Sequence, residues 1–452
     1  MLKKFIRKII ESKHGNVLAL TSMAAPVVIG FAGLSIDVGY GYYSKSQLRG
    51  ATELTALDIT ENFTKPNNFS VTGPKYKDQG TLVTNGLAIS KDGLPVNHGD
   101  AAIKPTDIEV GEWNVENKVF TPGGSSPIVN AARVKGELSK ARNNKISTFF
   151  GGLFGFNPDL HTDSFAIAPL VPEFHFLNPS ASGALRHSDG SGTDRTDLDI
   201  GDVWINSDAD DAMIASPVRG KFGAPGAFIK GGTNISGRKY YEDLFRLPDL
   251  LAAHPEPARP AFLCDHNNLE YDQPERVILW PGAYCGGLKI KNSQLVIFVA
   301  GTYQFLDGPL EIESSPLVYG NEIFFHFDGP GAAMDINNSS LFLAGQTSGF
   351  NKGFLIFSSR NTTNGIAHQF EGSRGEFVGT FYAPDNHISI IRSGMNGKCN
   401  SLCLVADTMS VTGNSFLNWY HGFNSLTYFK NTPRVAPTVL EPYLTPYLIS
   451  GS

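Results

Sequence analysis

Two hydrophobic patterns divide the chain. From Val17 to Ile36 no residue is charged. Twenty residues make a helix of about 30 Å, the hydrocarbon thickness of a bilayer. Pro26, Gly30 and Gly33 weaken a soluble helix but are tolerated in a membrane. From about residue 201 to 430 the pattern becomes short β-type runs separated by Gly, Asn, Ser or Asp, among them Val203-Trp204-Ile205, Val277-Ile278-Leu279-Trp280, Ile323 to Phe327, Phe354 to Phe357 and Ile388 to Ile391. Pro281-Gly282-Ala283-Tyr284 recurs nineteen residues on as Ala300-Gly301-Thr302-Tyr303, and each copy is followed by Gly and Leu-x-Ile. A period near twenty is about one turn of a parallel β-helix, in which no turn alone can bury its inward Leu, Ile and Phe. Asn and Gly suit the left-handed backbone of its corners. A β-sandwich would also use short strands, but its alternation should be cleaner and the duplication would be unexplained.

The stretch between the two patterns is less regular. Asp107 to Trp113 alternates with period two, as a half-buried strand does, and Val119-Phe120 and Asn130 to Val134 suggest its partners. The expected organisation is a basic tip, transmembrane helix and helical extension over 1–62, then a small α+β domain over 63–170. A polar linker follows over 171–200, then a right-handed parallel β-helix-like solenoid over 201–430. A Pro/Tyr-rich tail over 431–452 is expected to cap the solenoid's end. The fold class is mainly β.

Charge sets the topology. Lys3, Lys4, Arg7, Lys8 and Lys13 precede the apolar run, against one Glu11, and only Lys45 and Arg49 follow it closely. This bias places the N-terminus in the cytoplasm and everything beyond Asp37 outside it, in the periplasm or at the surface. A cleaved signal peptide would have a shorter apolar run than this one, and Ala32-Gly33-Leu34 is a poor cleavage site. A buried core helix would not carry such asymmetric flanks. Asp37 is expected at the outer interface, solvated and ending the span. The 37 basic and 43 acidic residues, net −6, argue against nucleic acid as a partner. Charged residues at 18%, with 48 Gly and 31 Phe, exclude a coiled coil as the main architecture.

His14-Gly15-Asn16-Val17-Leu18-Ala19-Leu20, then Pro26, then Gly33-Leu34-Ser35-Ile36-Asp37-Val38-Gly39, resembles the N-terminal segment of TadE/TadG-like proteins of tight-adherence (Flp) pilus assembly. Leu48 to Leu57 continues the likeness, with Glu53 where the family usually has Asp. Prepilin-like relatives are cut after a glycine and keep a glutamate five positions on. Counting from Gly15 that position is Leu20, so such processing is not expected. Gly353 to Phe357 with Arg360, Gly379 to Pro384, and Val411 to Ser415 resemble the C-terminal region of a subset of TadG-like chains that lack a von Willebrand A-type domain. The resemblance implies a single-pass inner-membrane protein that acts by anchoring and protein–protein contact in pilus assembly or surface adhesion. Its partners would be other pilus-assembly components or pseudopilins, with no cofactor and no enzymatic activity. The alternative is a β-helix that binds or cleaves surface polysaccharide.

Candidate chemistry is sparse. Asp385, His387, Arg360 and Arg392 are the groups a polysaccharide-cleaving β-helix would use, but they are scattered in sequence, and acid–base work needs two converging on one groove. Asp189 to Asp194 resembles one calcium-binding nonapeptide, but such ions bind between stacked copies and there is one copy. Asp208, Asp210 and Asp211 lack the glycine and closing glutamate of an EF-hand loop. All four cysteines lie beyond residue 260, on the side assigned to an oxidising compartment. Cys264 and Cys285 would close a loop onto the first Gly-x-Tyr turn. Cys399 and Cys403 would stand about 13 Å apart in a straight strand, beyond the ~7 Å a disulfide spans, so they can pair only across a turn. The rival for the first pair is zinc on Cys264, His266 and Cys285.

Overall fold

The computed structural model describes residues 16–64, 84, 87–88, 102–123, 129–154, 158–167, 171–190, 193–216, 219–224, 226–235, 240–259, 264–314, 317–360, 366–399, 402–421 and 447–450. One continuous helix, α1 (Asn16–Thr64), opens the chain. It runs on for 27 residues beyond Asp37, forming the expected helical extension. Its second half buries a stripe of Leu48, Ala51, Thr52, Thr55, Ala56 and Ile59 at three- and four-residue spacing.

That stripe packs on a small antiparallel sheet of β1 (Ile108–Asn114), β2 (Val119–Pro122), β3 (Ala131–Leu138) and β4 (Leu160–Ile167), in the order β2-β1-β3-β4. The inward residues Ile108, Val110, Ala132, Val134, Leu138 and Ala166 complete the core. At Gly136 the helix comes so close that a Cβ would lie 2.8 Å from Thr52 and 2.9 Å from Leu48. The last described strand, Tyr447–Ser450, pairs antiparallel with β4. The end of the Pro/Tyr-rich tail therefore joins the small domain instead of capping the solenoid. The rest of that tail lies outside the described residues.

Residues 171–421 form a parallel solenoid with three faces. The expected linker at 171–200 is part of it: Phe174–Phe176, Leu185–Ser188 and Asp197–Ile200 supply the three strands of one coil. Turn residues lie between those strands, which gives the segment the composition of a linker.

The coils do not stack in chain order. Phe174–Phe176 pairs with Leu404–Ala406, Leu185–Ser188 with Met409–Thr412, and Asp197–Ile200 with Phe416–Trp419. In space the stack begins at His266–Asp272, runs through to Phe416–His421, and continues with the coils of residues 174–241. Residues 242–259 then lie along the outside of the stack as a strap, carrying the chain back to its first coil.

The period also differs from the duplicated motif. Gly282 pairs with Tyr303 and Tyr284 with Phe305, so this face advances by twenty-one residues per coil, not nineteen. What recurs is a corner: the Tyr284 hydroxyl donates to the Trp280 carbonyl (2.7 Å), and that of Tyr303 to Val299 (2.7 Å). Another corner repeats a left-handed residue before a buried serine at Asn292, Asn338, Gly372 and Arg392. The last three of their serines join Ser415 in a ladder in which the backbone N–H of Ser339 donates to Ser373 Oγ (3.1 Å), Ser373 to Ser393 (3.0 Å) and Ser393 to Ser415 (3.1 Å).

Candidate membrane anchor and contact surface

From Thr21 to Ile36 α1 projects from the small domain with its apolar side chains exposed, Gly33 alone in that stretch being covered, by Phe150. Met23 is 76% exposed, and Val27, Val28, Ile29, Phe31, Leu34 and Ile36 are exposed too. The helix is long and apolar enough to cross a membrane. A helix that is apolar all round is either a membrane span or buried in a core, and this one has no core about it. Asp37 sits where this stretch meets the domain. It is 6% exposed, contrary to the solvated position expected. Its carboxylate accepts the backbone N–H groups of Phe149 (2.7 Å), Phe150 (2.9 Å) and Gly151 (2.6 Å). Lys3, Lys4, Arg7, Lys8 and Lys13 lie outside the described residues.

The four groups weighed for catalysis each hold a place in the solenoid. Arg360 fastens the strap. Its guanidinium donates to the carbonyls of Leu251 (2.6 Å) and His254 (2.9 Å) and to the Tyr382 hydroxyl (2.7 Å). Its backbone N–H donates to Glu256 (2.9 Å), and Tyr382 in turn donates to Asp249 (2.6 Å). Burial beside Asp249 pushes the Tyr382 hydroxyl's pKa well up, which keeps it a donor. Asp385 is exposed at a nearby corner. Desolvation raises its pKa, and Asp407, Glu256 and Asp249 add to the rise. His387 places its two ring nitrogens 2.8 Å from the hydroxyls of Thr408 and Ser410 on the next coil, and burial lowers its pKa. Arg392 stands at the next corner, ion-paired with Glu371. The structure brings Asp385 and Arg360 into one electrostatic neighbourhood, whose Asp407 also acts on His387, and holds Arg392 at another corner.

The acidic segments are also structural. Asp189 accepts the N–H groups of Thr196 (2.8 Å), Arg219 (2.6 Å) and Gly220 (3.2 Å), which ties two coils together. Asp208 pairs with Arg246 (2.6 Å) and, with Asp210, Lys230 and Glu242, lines an open cavity of 660 Å³. Asp211 accepts the Ser182 hydroxyl (2.6 Å). Among the described residues no three of His, Cys, Asp and Glu are grouped to hold a metal ion. Cys264 is bonded to Cys285, with Cα atoms 5.8 Å apart, so neither thiol is a zinc ligand. Cys399, ending a strand, is bonded to Cys403, at 5.1 Å. Both of the latter are buried in the solenoid core.

Two surfaces escaped the sequence reading. One is the outward ladder under the strap: Gln304, His326, Phe357, Tyr382, Val405, His175, Trp204, Phe228 and Tyr241 are successive rungs. Leu244, Phe245 and Leu247 cover Trp204, and Leu251 covers Phe357, Tyr382 and Val405. The signal was present in Phe354 to Phe357, an unbroken apolar run that marks a strand buried on both sides. The other surface is left exposed by the described residues. Ile278, Ile297, Tyr319 and Phe342 are successive outward rungs, flanked by Leu317 and by Trp280, which is 64% exposed. The same ladder turns polar beyond, through Glu376, Asn396, Asn418 and Asp199. The third face is charged, with Lys289 paired to Glu311 (2.5 Å) and Glu313 (3.4 Å), and Lys291 to Glu270 (2.8 Å).

Residues 61–166 match the family described as Tad-like Flp pilus-assembly. The match begins in the last turn of α1 and spans β1 to β4, so it covers the small domain built on the helix. The matched domain supports a role in Tad/Flp pilus assembly. It lies beyond the N-terminal segment that carries the resemblance and points to the same system. No curated protein and no solved structure matches the chain.

Proposed function

We propose that the chain is a membrane-anchored scaffold of tight-adherence pilus assembly, with its N-terminus in the cytoplasm and its domains exported. It works by anchoring and by protein–protein contact, and it is not an enzyme. The observation that carries this reading is the matched domain's construction directly on α1: one helix is both the bare apolar stalk and a wall of the assembly domain's core. Two disulfides support the exported location, since thiols stay reduced in the cytoplasm. The structural bonds of Arg360, His387 and Arg392 support a role without chemistry. The bare apolar face is the surface offered to other pilus-assembly components or pseudopilins, because apolar patches rimmed by polar residues mark contact sites.

The test replaces Tyr319 and Phe342 together with Glu in cells that assemble the pilus. The expected result is normal levels of a folded, membrane-bound chain with loss of piliation and of its crosslinks to other assembly components. Undiminished piliation would remove the bare face from the mechanism. Depolymerisation of surface polysaccharide by the purified chain, lost on Asp385→Asn, would replace the scaffold reading with the enzymatic one.

A further inference from the structure

We infer that the loop Thr148–Gly151 of the small domain is a second membrane contact, dipping Phe149 and Phe150 into the bilayer beside the helix. This rests on the reading of α1 as a membrane anchor. Gly33 and Asp37 are one turn apart on the same side of α1. Asp37 holds the loop by three backbone N–H groups. The Phe150 ring lies flat on the helix at Gly33, where a Cβ would come within 2.4 Å of the ring. Gly33 belongs to the uncharged stretch, about 6 Å along the helix axis from Asp37 toward the membrane. The loop therefore reaches down the helix past the point where the stretch ends.

Its side chains suit that depth. Phe149 is 71% exposed, and its ring meets the edge of Tyr40 at 6.4 Å. Tyr42 and Tyr43 are exposed on the same stretch of helix, and aromatic residues collect at the membrane interface. No residue from Ile146 to Phe156 is charged. Irregular backbone in hydrocarbon is costly because its N–H groups lose water, and here Asp37 takes three of them. The same three donors solvate a carboxylate that would otherwise be unfavourable at this depth. Gly33 leaves room for the ring, Asp37 satisfies the backbone, and Phe149 supplies the inserted surface. The partner is the phospholipid surface itself. Helix and loop together give two attachment points, which fix the tilt and height of the domain above the membrane.

The experiment places the photo-crosslinker p-benzoylphenylalanine singly at 149, 34 or 342 in the full chain, reconstituted into phosphatidylethanolamine/phosphatidylglycerol nanodiscs, and counts lipid adducts by mass spectrometry. Position 34 lies in the span, and position 342 lies on the bare face of the solenoid. The expected result is lipid adducts at 34 and 149, with at least tenfold fewer at 342. Adducts at 34 but only background at 149 would overturn the loop contact and leave the anchor standing. Background at 34 would overturn the anchor and the loop contact with it.

Discussion

Phe357 and Phe342 stand on outward rungs of the same solenoid, yet Phe357 is fully buried and Phe342 is 47% exposed. Both belong to ladders of apolar side chains on neighbouring faces. The difference is made by residues 244–259, which lie over the first ladder and not the second. An outward apolar rung is therefore not a defect that the coil itself must correct. It becomes core where the returning chain covers it, and it remains an available surface where no described residue does. Asn206 shows how closely the strap is held: its side-chain amide donates to the Leu247 carbonyl (2.8 Å) and accepts the Leu247 N–H (2.9 Å).

The sharpest break in this comparison is truncation of the covered rung. Phe357→Ala should cost about 3–5 kcal/mol, the range for removing a buried aromatic side chain, read as a shift in the denaturant midpoint. Leu251→Ala on the strap should cost about 2–5 kcal/mol and expose residues 244–259 to protease. If both were silent, the strap would not be part of the folded core.

Acid should act on the buried histidines next. Burial pushes His175 and His326 down to about 4 and His368 to about 3, so all three are neutral in the fold. In the unfolded chain they take up protons below about 6.5. Their contribution is therefore complete above that pH and is lost as pH falls from 6.5 toward 4, on the order of 2 kcal/mol for each by pH 5. Asp202 works in the opposite sense: burial raises it to about 6, so its penalty is relieved as pH falls through that value. The melting temperature should be lower at pH 5 than at pH 7.5, and His326→Gln should shrink the difference.

Reduction of the disulfides, one at the first coil and one inside the stack, gives an effect of comparable size. Opening the Cys264–Cys285 link should cost about 3 kcal/mol by loop entropy, and the shorter Cys399–Cys403 link about 2. Cys264→Ser with Cys285→Ser should lower the thermal midpoint more than the paired Ser variant of Cys399 and Cys403.

The smallest change in stability belongs to the bare face. Phe342→Ala should alter it by less than about 0.5 kcal/mol. A large loss there would mean that the rung is covered in the assembled protein, and that the two faces are alike after all.

Several features were decided by the sequence alone, because they need only local pattern. Twenty residues without a charge mark a candidate span, since each unpaired charge in hydrocarbon is costly. Asn292, Asn338 and Gly372 mark coil corners because they tolerate a left-handed backbone. The two cysteine pairs could be proposed from spacing and compartment. Other features were decided only in the tertiary structure. The sequence does not tell which coil stacks on which, because every parallel coil of this width presents the same backbone edge and the same apolar ladder to its neighbour. Leu404–Ala406 meets Phe174–Phe176 because the strap carries the chain back along the stack, a long-range contact that no local window contains. Tyr447–Ser450 finds β4 for the same reason, as an edge partner distant in sequence. Asp37 looked like the polar end of a span, and its burial depended on three N–H groups that only folding brings to it. Periodicity reports what each segment can bury, while the partner that buries it is chosen by chain connectivity in three dimensions.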